Sequence, residues 1–68
     1  KKGVCMINKD DRVIFSRLDN EDEEYYGEFL NKEGTVLSEP EGRFPCVYVK
    51  FDEFEEKEYV FVQNLDKV

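Results

Sequence analysis

Apolar and polar positions alternate most regularly in residues 46–62, which read CVYVKFDEFEEKEYVFV. From residue 46 to residue 51 the alternation is that of a strand with one buried face, because successive strand side chains point to opposite faces. The predicted inward side chains are Val47, Val49 and Phe51. Residues 59–62 repeat the β-branched and aromatic composition of a strand, and the polar stretch 52–58 is short enough for a hairpin connection. The pattern predicts a β-hairpin closed by an acidic loop.

Two segments before this hairpin also have the composition of strands. Residues 12–18, RVIFSRL, place Val13 and Phe15 on one face. Residues 25–30, YYGEFL, are predicted to form the second strand. Gly27 lies inside that segment, which indicates a bulge or a sharp bend of the kind that small barrels need.

The remaining segments are short and rich in turn residues. Residues 31–34, NKEG, are a predicted turn, and residues 35–37 extend or begin a strand. The stretch 38–45 contains both prolines and is a predicted loop. Residues 63–65 break the alternation, which predicts a single helical turn followed by a short last strand through Val68.

Five short strands with tight connections predict an all-β fold, a small barrel whose closure removes exposed sheet edges. A chain of 68 residues has room for one domain. We assign residues 7–68 to the barrel and residues 1–6 to a flexible N-terminal arm. The predicted core consists of Val13, Phe15, Phe29, Val47, Val49, Phe51 and Phe61.

The charge balance changes the range of partners to expect. The chain has 17 Asp and Glu residues against 10 Lys and Arg residues, for a formal net charge of -7. This balance disfavours direct binding to nucleic acid, since a phosphate backbone is bound by a basic face. It is compatible with solubility alone or with a basic partner. Residues 19–24 and 52–58 hold five acids each and so contribute 10 of the 17.

Residues that carry catalysis are scarce. The chain has no histidine, no phosphate-binding motif, and no histidine partner that would activate Cys5 or Cys46. We therefore expect no enzymatic activity, no cofactor and no metal. Both cysteines are predicted to be reduced thiols in an intracellular protein, cytoplasmic or nuclear. No apolar run has the length that crosses a membrane, so we expect no membrane partner, and the isolated domain is expected to be monomeric.

Three stretches resemble the SH3-like barrels of the Tudor, chromo-barrel and KOW kind. INKDDRV at 7–13 resembles their opening, with Asp10 in the position where glycine is usual. EYYGEFL at 24–30 is similar to their second strand, and VYVKFDEFEEKEYVFVQNL at 47–65 is similar to their third strand, turn, fourth strand and closing turn. The resemblance implies a small five-stranded SH3-like, Tudor-like barrel.

The resemblance also implies a site. Tudor domains often hold methylated lysine or arginine in an aromatic cage at one rim, through attraction between the cation and the ring faces. The corresponding positions are Arg17 or Leu18, Tyr25, Phe51, Glu53 and Phe54. Since the first position is not aromatic, at most three walls remain. The alternative role of these rings is packing, with Phe51 in the core and Tyr25 on a half-buried strand surface.

In that architecture the loops after the first and third strands lie at the same end of the barrel, so residues 19–24 and 52–58 are expected to meet. The result is an acidic rim with aromatic residues among the charges. The predicted partner-binding residues are Tyr25, Tyr26, Phe54, Glu23, Glu24, Glu53, Glu55 and Glu56. The alternative is two solvated loops without a partner.

Three functional hypotheses follow. The first is a non-catalytic interaction module whose acidic rim binds a basic protein segment, such as a Lys/Arg-rich tail, methylated or not. The second is an acidic mimic of nucleic acid that inhibits a DNA- or RNA-binding protein. The third is a KOW-like domain of a nucleic-acid machine, to which only Lys9, Arg12, Arg43 and Lys50 would contribute basic contacts. Acids gathered at one end of the barrel favour the first hypothesis, and two rows spaced like a duplex backbone favour the second.

Overall fold

The structure is a computed structural model that describes residues 7–18 and 23–68, with Glu23 and Glu24 described by their backbone alone. These described residues contain five strands, one helix of a single turn and two 3₁₀ turns. The strands are β1 (Arg12–Phe15), β2 (Glu33–Val36), β3 (Cys46–Phe51), β4 (Glu58–Phe61) and β5 (Leu65–Lys67). The helix α1 is Glu23–Tyr26, and the 3₁₀ turns are Gly27–Phe29 and Val62–Asn64.

All five strands belong to one antiparallel sheet with the order β4-β3-β2-β1-β5. Strands β4 and β5 are at opposite edges of this sheet, although only the 3₁₀ turn Val62–Asn64 separates them in the chain. The sheet must therefore curl until its two edges approach each other. The predicted all-β class is confirmed, and the curled five-stranded sheet fits a small SH3-like barrel.

The predicted hairpin is present, with one error in the second strand. Val47 pairs with Val60 and Tyr48 pairs with Tyr59, so the alternation on β3 also determines which side chains of β4 point inward. Val60 is buried opposite Val47, whereas Phe61 lies opposite Cys46 on the outer face and is 41% exposed. The predicted core position of Phe61 is wrong, and Val60 occupies the core in its place.

The predicted second strand at 25–30 is also wrong. That segment forms α1 and the 3₁₀ turn Gly27–Phe29. Tyr26 and Phe29 are three residues apart, which in helical backbone places both rings on one face. The ring of Tyr26 lies 6.1 Å from that of Phe15, and Phe29 is buried. A strand would have pointed these two side chains to opposite faces, so the burial of both rings favours helical turns.

The second strand in the chain is instead β2, which covers part of the predicted turn 31–34. The turn ends at Asn31, whose φ of 66° is in the left-handed region. Gly34 is buried in β2, and a Cβ atom built on it would lie 2.6 Å from the Lys50 carbonyl oxygen and 2.9 Å from Cα of Phe51. Glycine at this position allows β2 and β3 to approach each other closely.

The backbone conformation of Asp10 explains how an aspartate can occupy the position where the similar barrels usually have glycine. Asp10 has a φ of 76°, a conformation that glycine adopts without steric cost and that Asp tolerates better than most residues. Its backbone N–H donates to the Val36 carbonyl at 2.7 Å, which fixes the turn on the end of β2.

The core is an apolar cluster between the strands and the aromatic turn. Of the predicted core residues, all except Phe61 are buried. The complete set of buried apolar residues is Ile7, Val13, Phe15, Phe29, Val36, Val47, Val49, Phe51, Val60 and Leu65. The arm predicted for residues 1–6 lies outside the described residues, and Ile7, the first described residue, is buried.

Lysine substitutions will distinguish the two faces of β4. Val60→Lys places an unpaired charge in the core, which costs about 3–5 kcal/mol and equals the whole stability expected of a domain this small. We expect it to unfold the protein. Phe61→Lys adds the same charge at the outer face of an edge strand, where lysine is common, and should leave the fold intact. Circular dichroism and amide NMR dispersion provide the comparison, and a folded Val60→Lys variant would contradict the register.

The close approach of β2 and β3 gives a second prediction. Gly34→Ala forces a methyl group against backbone atoms of β3 and should cost about 3 kcal/mol in urea unfolding, as overpacking does. Gly42→Ala is the control. Gly42 has open space around its Cβ position but a φ of 89°, so that substitution should cost only about 1 kcal/mol of backbone strain. Equal losses in the two variants would show that β2 and β3 can separate to accommodate the methyl group.

Candidate functional site

The turn between β3 and β4 is held in place by two lysines. Lys50 donates from Nζ to the carbonyl oxygen of Phe51 at 2.9 Å and also to that of Phe54. Lys32, at the start of β2, pairs with Glu53 at 3.1 Å between Nζ and Oε1. The backbone N–H of Phe54 donates to the Phe51 carbonyl at 3.1 Å. These contacts fix the turn although most of its side chains are exposed.

A row of three rings connects this turn to the core. Phe54 contacts Phe29 edge to face, with ring centroids 4.8 Å apart. Phe29 stacks on Phe51 at 5.0 Å, and Phe51 is fully buried. The contact between Phe54 and Phe29 brings the 3₁₀ turn Gly27–Phe29 beside the β3–β4 turn. Glu28 belongs to that 3₁₀ turn and therefore also lies beside the β3–β4 turn.

An open groove of about 380 Å³ lies between these two turns. We call it the acidic groove. Its lining residues are Glu28, Phe29, Glu53, Phe54, Glu55, Glu56 and Glu58. Among the described residues, Lys32 pairs with Glu53, and no ion pair reaches the other four carboxylates. The groove therefore presents unpaired carboxylates around the two phenylalanines.

The groove contains part of the predicted rim. Glu53, Phe54, Glu55 and Glu56 line it as predicted, with Phe54 half-buried against Phe29. Residues 19–22 lie outside the described residues, as do the side chains of Glu23 and Glu24, so the predicted meeting of the two acidic loops is described only through α1 and the turn that follows it.

The two tyrosines do not line the groove. Tyr26 is half-buried against the core, and its hydroxyl donates to the Tyr59 carbonyl at 3.2 Å, which ties α1 to β4. Tyr25 is 64% exposed, and its ring meets that of Tyr26 edge to face at 4.6 Å. The alternative that placed Tyr25 on a half-buried strand surface is wrong, because the segment is helical there.

The cage positions implied by the resemblance are mostly used for structure. Phe51 is fully buried and Leu18 packs against the core, so neither offers a ring face or wall at the surface. Arg17 pairs with Asp66, with 3.0 Å between NH1 and Oδ2. Of the aromatic candidates, only Phe54 lines the acidic groove.

Three lining residues, Glu28, Phe29 and Glu58, were not among the predicted site residues, and Phe29 was predicted only as a core residue. Glu58 could have been included from the sequence, because it closes the acidic stretch 52–58. Glu28 could not, since a strand at 25–30 gives no reason to place it beside the β3–β4 turn. The three-residue spacing of Tyr26 and Phe29 was the available signal for a helical turn.

Arg12 binds the carboxylate of Asp52 in a bidentate contact. Its NH1 and NH2 groups donate to Oδ1 and Oδ2 of Asp52 at 2.8 and 2.5 Å, and Glu33 lies 3.6 Å from NH2. The hydrogen bond from Arg12 lowers the pKa of Asp52 below its ordinary value, and the same contact raises the pKa of Arg12. Asp66 also has a lowered pKa, through hydrogen bonds from Ser16 and then from Arg17.

Other kinds of site find less support. In the described part of the chain, no group of three or more Cys, Asp or Glu side chains could hold a metal ion, and no helix is long and apolar enough to cross a membrane. Cys46 is a free, half-buried thiol, and Cys5 lies outside the described residues. Comparisons with protein-family models, curated proteins and solved structures find no match to this chain.

The Arg12–Asp52 contact predicts a dependence of stability on pH. A carboxyl with a lowered folded-state pKa adds stability that is complete above its unfolded pKa of about 3.9 and is lost as the pH falls through the folded value. Asp52→Asn removes this contribution, so its urea midpoint should fall less than that of the wild type between about pH 6 and pH 2.5.

Glu55→Gln is the matched control for that measurement, because it removes one charge from the same turn without breaking a described ion pair. Its midpoint should fall with pH as that of the wild type does. If Asp52→Asn also follows the wild type, the contact with Arg12 adds no stability in solution.

Proposed function

We propose that this domain is a non-catalytic interaction module that binds a Lys/Arg-rich protein segment in the acidic groove. The observation that carries the proposal is the set of carboxylates without a described cation partner, at Glu28, Glu55, Glu56 and Glu58, around the ring of Phe54. Lysine and arginine side chains of a ligand would supply the missing positive charge.

Electrostatics and the open shape of the groove support a charged, flexible ligand. Like charges gathered on one surface repel each other and attract cations from a distance, which speeds association with a basic partner. The attraction between exposed charges is screened beyond about 8 Å at physiological salt, so binding should depend strongly on ionic strength.

Phe54 gives the groove an apolar element. The aliphatic stems of lysine and arginine can pack on a ring while their charged ends remain near carboxylates. The same ring attracts a cation through its π face, whether or not the ligand is methylated. This use of an aromatic residue at a barrel rim is in keeping with the Tudor-like resemblance, with one ring in place of a cage.

The distribution of acids favours this function over mimicry of nucleic acid. Five glutamates line one groove at one end of the β3–β4 hairpin. A mimic would instead need carboxylates in two rows, spaced like the phosphates of a duplex. We propose an intracellular location for the domain, which the free thiol of Cys46 supports.

A titration with a basic peptide tests the proposal. The probe is a synthetic peptide of alternating Lys, Arg and Gly residues, followed by ¹⁵N chemical shifts at low salt. We expect shifts in residues 28–29 and 53–58. The double variant Glu55→Gln, Glu56→Gln should bind about tenfold more weakly, since each exposed charge contributes up to about 1 kcal/mol at low salt. Raising the salt to about 500 mM should weaken wild-type binding further.

The control removes the same charge elsewhere. Glu39→Gln, Glu41→Gln lies in the 38–45 loop, and glutamine retains the side-chain oxygen that accepts from the Lys9 N–H. It should lose much less affinity than the groove variant. Equal affinities in the two double variants, or shifts that avoid residues 53–58, would reject the acidic groove as the binding site.

A further inference from the structure

The outer face of the β3–β4 hairpin carries aromatic side chains that the acidic groove does not use. Tyr48 and Tyr59 pair across the hairpin, with ring centroids 4.7 Å apart. Phe61 follows on the same face, and Phe44, just before β3, is 72% exposed. We call these four residues the aromatic face. Contiguous exposed apolar surface of this kind is typical of interaction sites.

A pocket of about 170 Å³ opens at one end of the aromatic face. Its lining residues are Arg43, Phe44, Pro45, Phe61 and Gln63, none of which lines the acidic groove. Glu58 belongs to the groove and Phe61 to the pocket, and these residues are the two ends of β4. At the rise of a strand they are about 10 Å apart, so the pocket and the groove are separate sites.

Arg43 provides the charge of this pocket. Most described cations are occupied: four pair with carboxylates and one donates to backbone carbonyls, namely Arg12, Arg17, Lys32, Lys67 and Lys50. Within the described residues no ion pair reaches Arg43. Lys57 lies over the ring of Tyr48, with Nζ 4.7 Å from the centroid. Two of the cations without a carboxylate partner thus border the aromatic face of an acidic protein.

We propose that the Arg43 pocket docks an acidic–apolar protein segment, in which Asp or Glu lies next to a large apolar side chain such as Leu. Charge complementarity identifies this occupant: the guanidinium of Arg43 can donate two parallel hydrogen bonds to one carboxylate. The apolar neighbour then packs between Phe44 and Phe61. This acidic ligand has the opposite charge to the basic ligand proposed for the acidic groove, so the proposal is independent of the proposed function.

The ligand is held by side chains and not by addition of a strand to β4. Strand β4 is at an edge of the sheet, but the Tyr59 carbonyl already accepts from the hydroxyl of Tyr26 at 3.2 Å. Strand addition needs a row of unoccupied backbone groups along the edge. With this carbonyl engaged and α1 tied across it, the exposed rings and Arg43 provide the contacts.

Glu41 opposes an acidic ligand and so offers a sensitive probe. It bridges to Cys46 at the border of the aromatic face. Burial, then the neighbouring groups of Cys46, Tyr48 and Glu41, raise the pKa of Tyr59. Removal of the Glu41 charge should therefore strengthen binding of a carboxylate-bearing segment.

The test is a ¹⁵N chemical-shift titration of the whole chain with a synthetic peptide whose centre alternates Glu and Leu between Gly and Ser ends. We expect shifts in residues 43–48 and 59–63. Arg43→Gln and Phe44→Ser should each weaken binding about tenfold, as expected for loss of a charged hydrogen bond or of a buried apolar contact. Glu41→Gln should strengthen binding. Both Arg43 and Phe44 are exposed loop residues, so their variants should fold.

Two control peptides make the result decisive. One replaces Glu by Lys and the other replaces Leu by Ser, and both should lose the shifts at residues 43–48. Equal shifts at residues 43–48 with the Lys peptide, or no shifts there with the Glu–Leu peptide at millimolar concentration, would overturn the proposal. Concentration-dependent shifts at Phe44 and Phe61 without peptide would also overturn it, because a second copy would then occupy the surface.

Discussion

The stacking of Phe29 on Phe51 is the contact on which both the fold and the candidate site depend. Phe51 belongs to β3 and is fully buried, whereas Phe29 comes from a 3₁₀ turn outside the sheet. Their contact covers the open end of the curled sheet. It also positions Phe29 to receive the edge of Phe54, which brings the β3–β4 turn against the turn that carries Glu28. Without this contact the acidic groove would have only one wall.

The groove is consequently built on a packed base with exposed carboxylates above it. The base is formed by the buried rings and by the lysine contacts that fix the backbone of the turn. The carboxylates project from this base into solvent, where they contribute little to stability. This division allows glutamates to be exchanged for glutamine without loss of the fold, and it separates tests of binding from tests of folding.

The sequence alone was sufficient for the elements whose pattern is local. The alternation in residues 46–51 determined β3 and its buried face, and the break at residues 63–65 indicated the closing turn and β5.

The errors arose where a distant partner decides the structure. Phe61 is as apolar as Val60, and only the pairing with β3 determines which of them points inward. Residues 25–30 have strand composition, but burial of both Tyr26 and Phe29 requires helical turns. Gly34 appeared to be a turn glycine because its close contacts with β3 lie 15 residues or more away in sequence.

The way in which the chain uses its few cations explains why four of the groove carboxylates have no described ion-pair partner. Arg12 and Arg17, both near β1, hold Asp52 and Asp66 and so connect this central part of the sheet to the β3–β4 turn and to β5. Lys32 and Lys50 fix the same turn. These four cations bind other groups, and none of the described cations pairs with the carboxylates of Glu28, Glu55, Glu56 and Glu58. Arg43, in the loop before β3, lines the pocket at the Phe61 end of β4 and forms no described ion pair with them. The separation of these acids from the guanidinium of Arg43, which lack a described ion-pair partner, therefore follows from how the sheet is held together, and it is the basis of the two ligands of opposite charge that we propose.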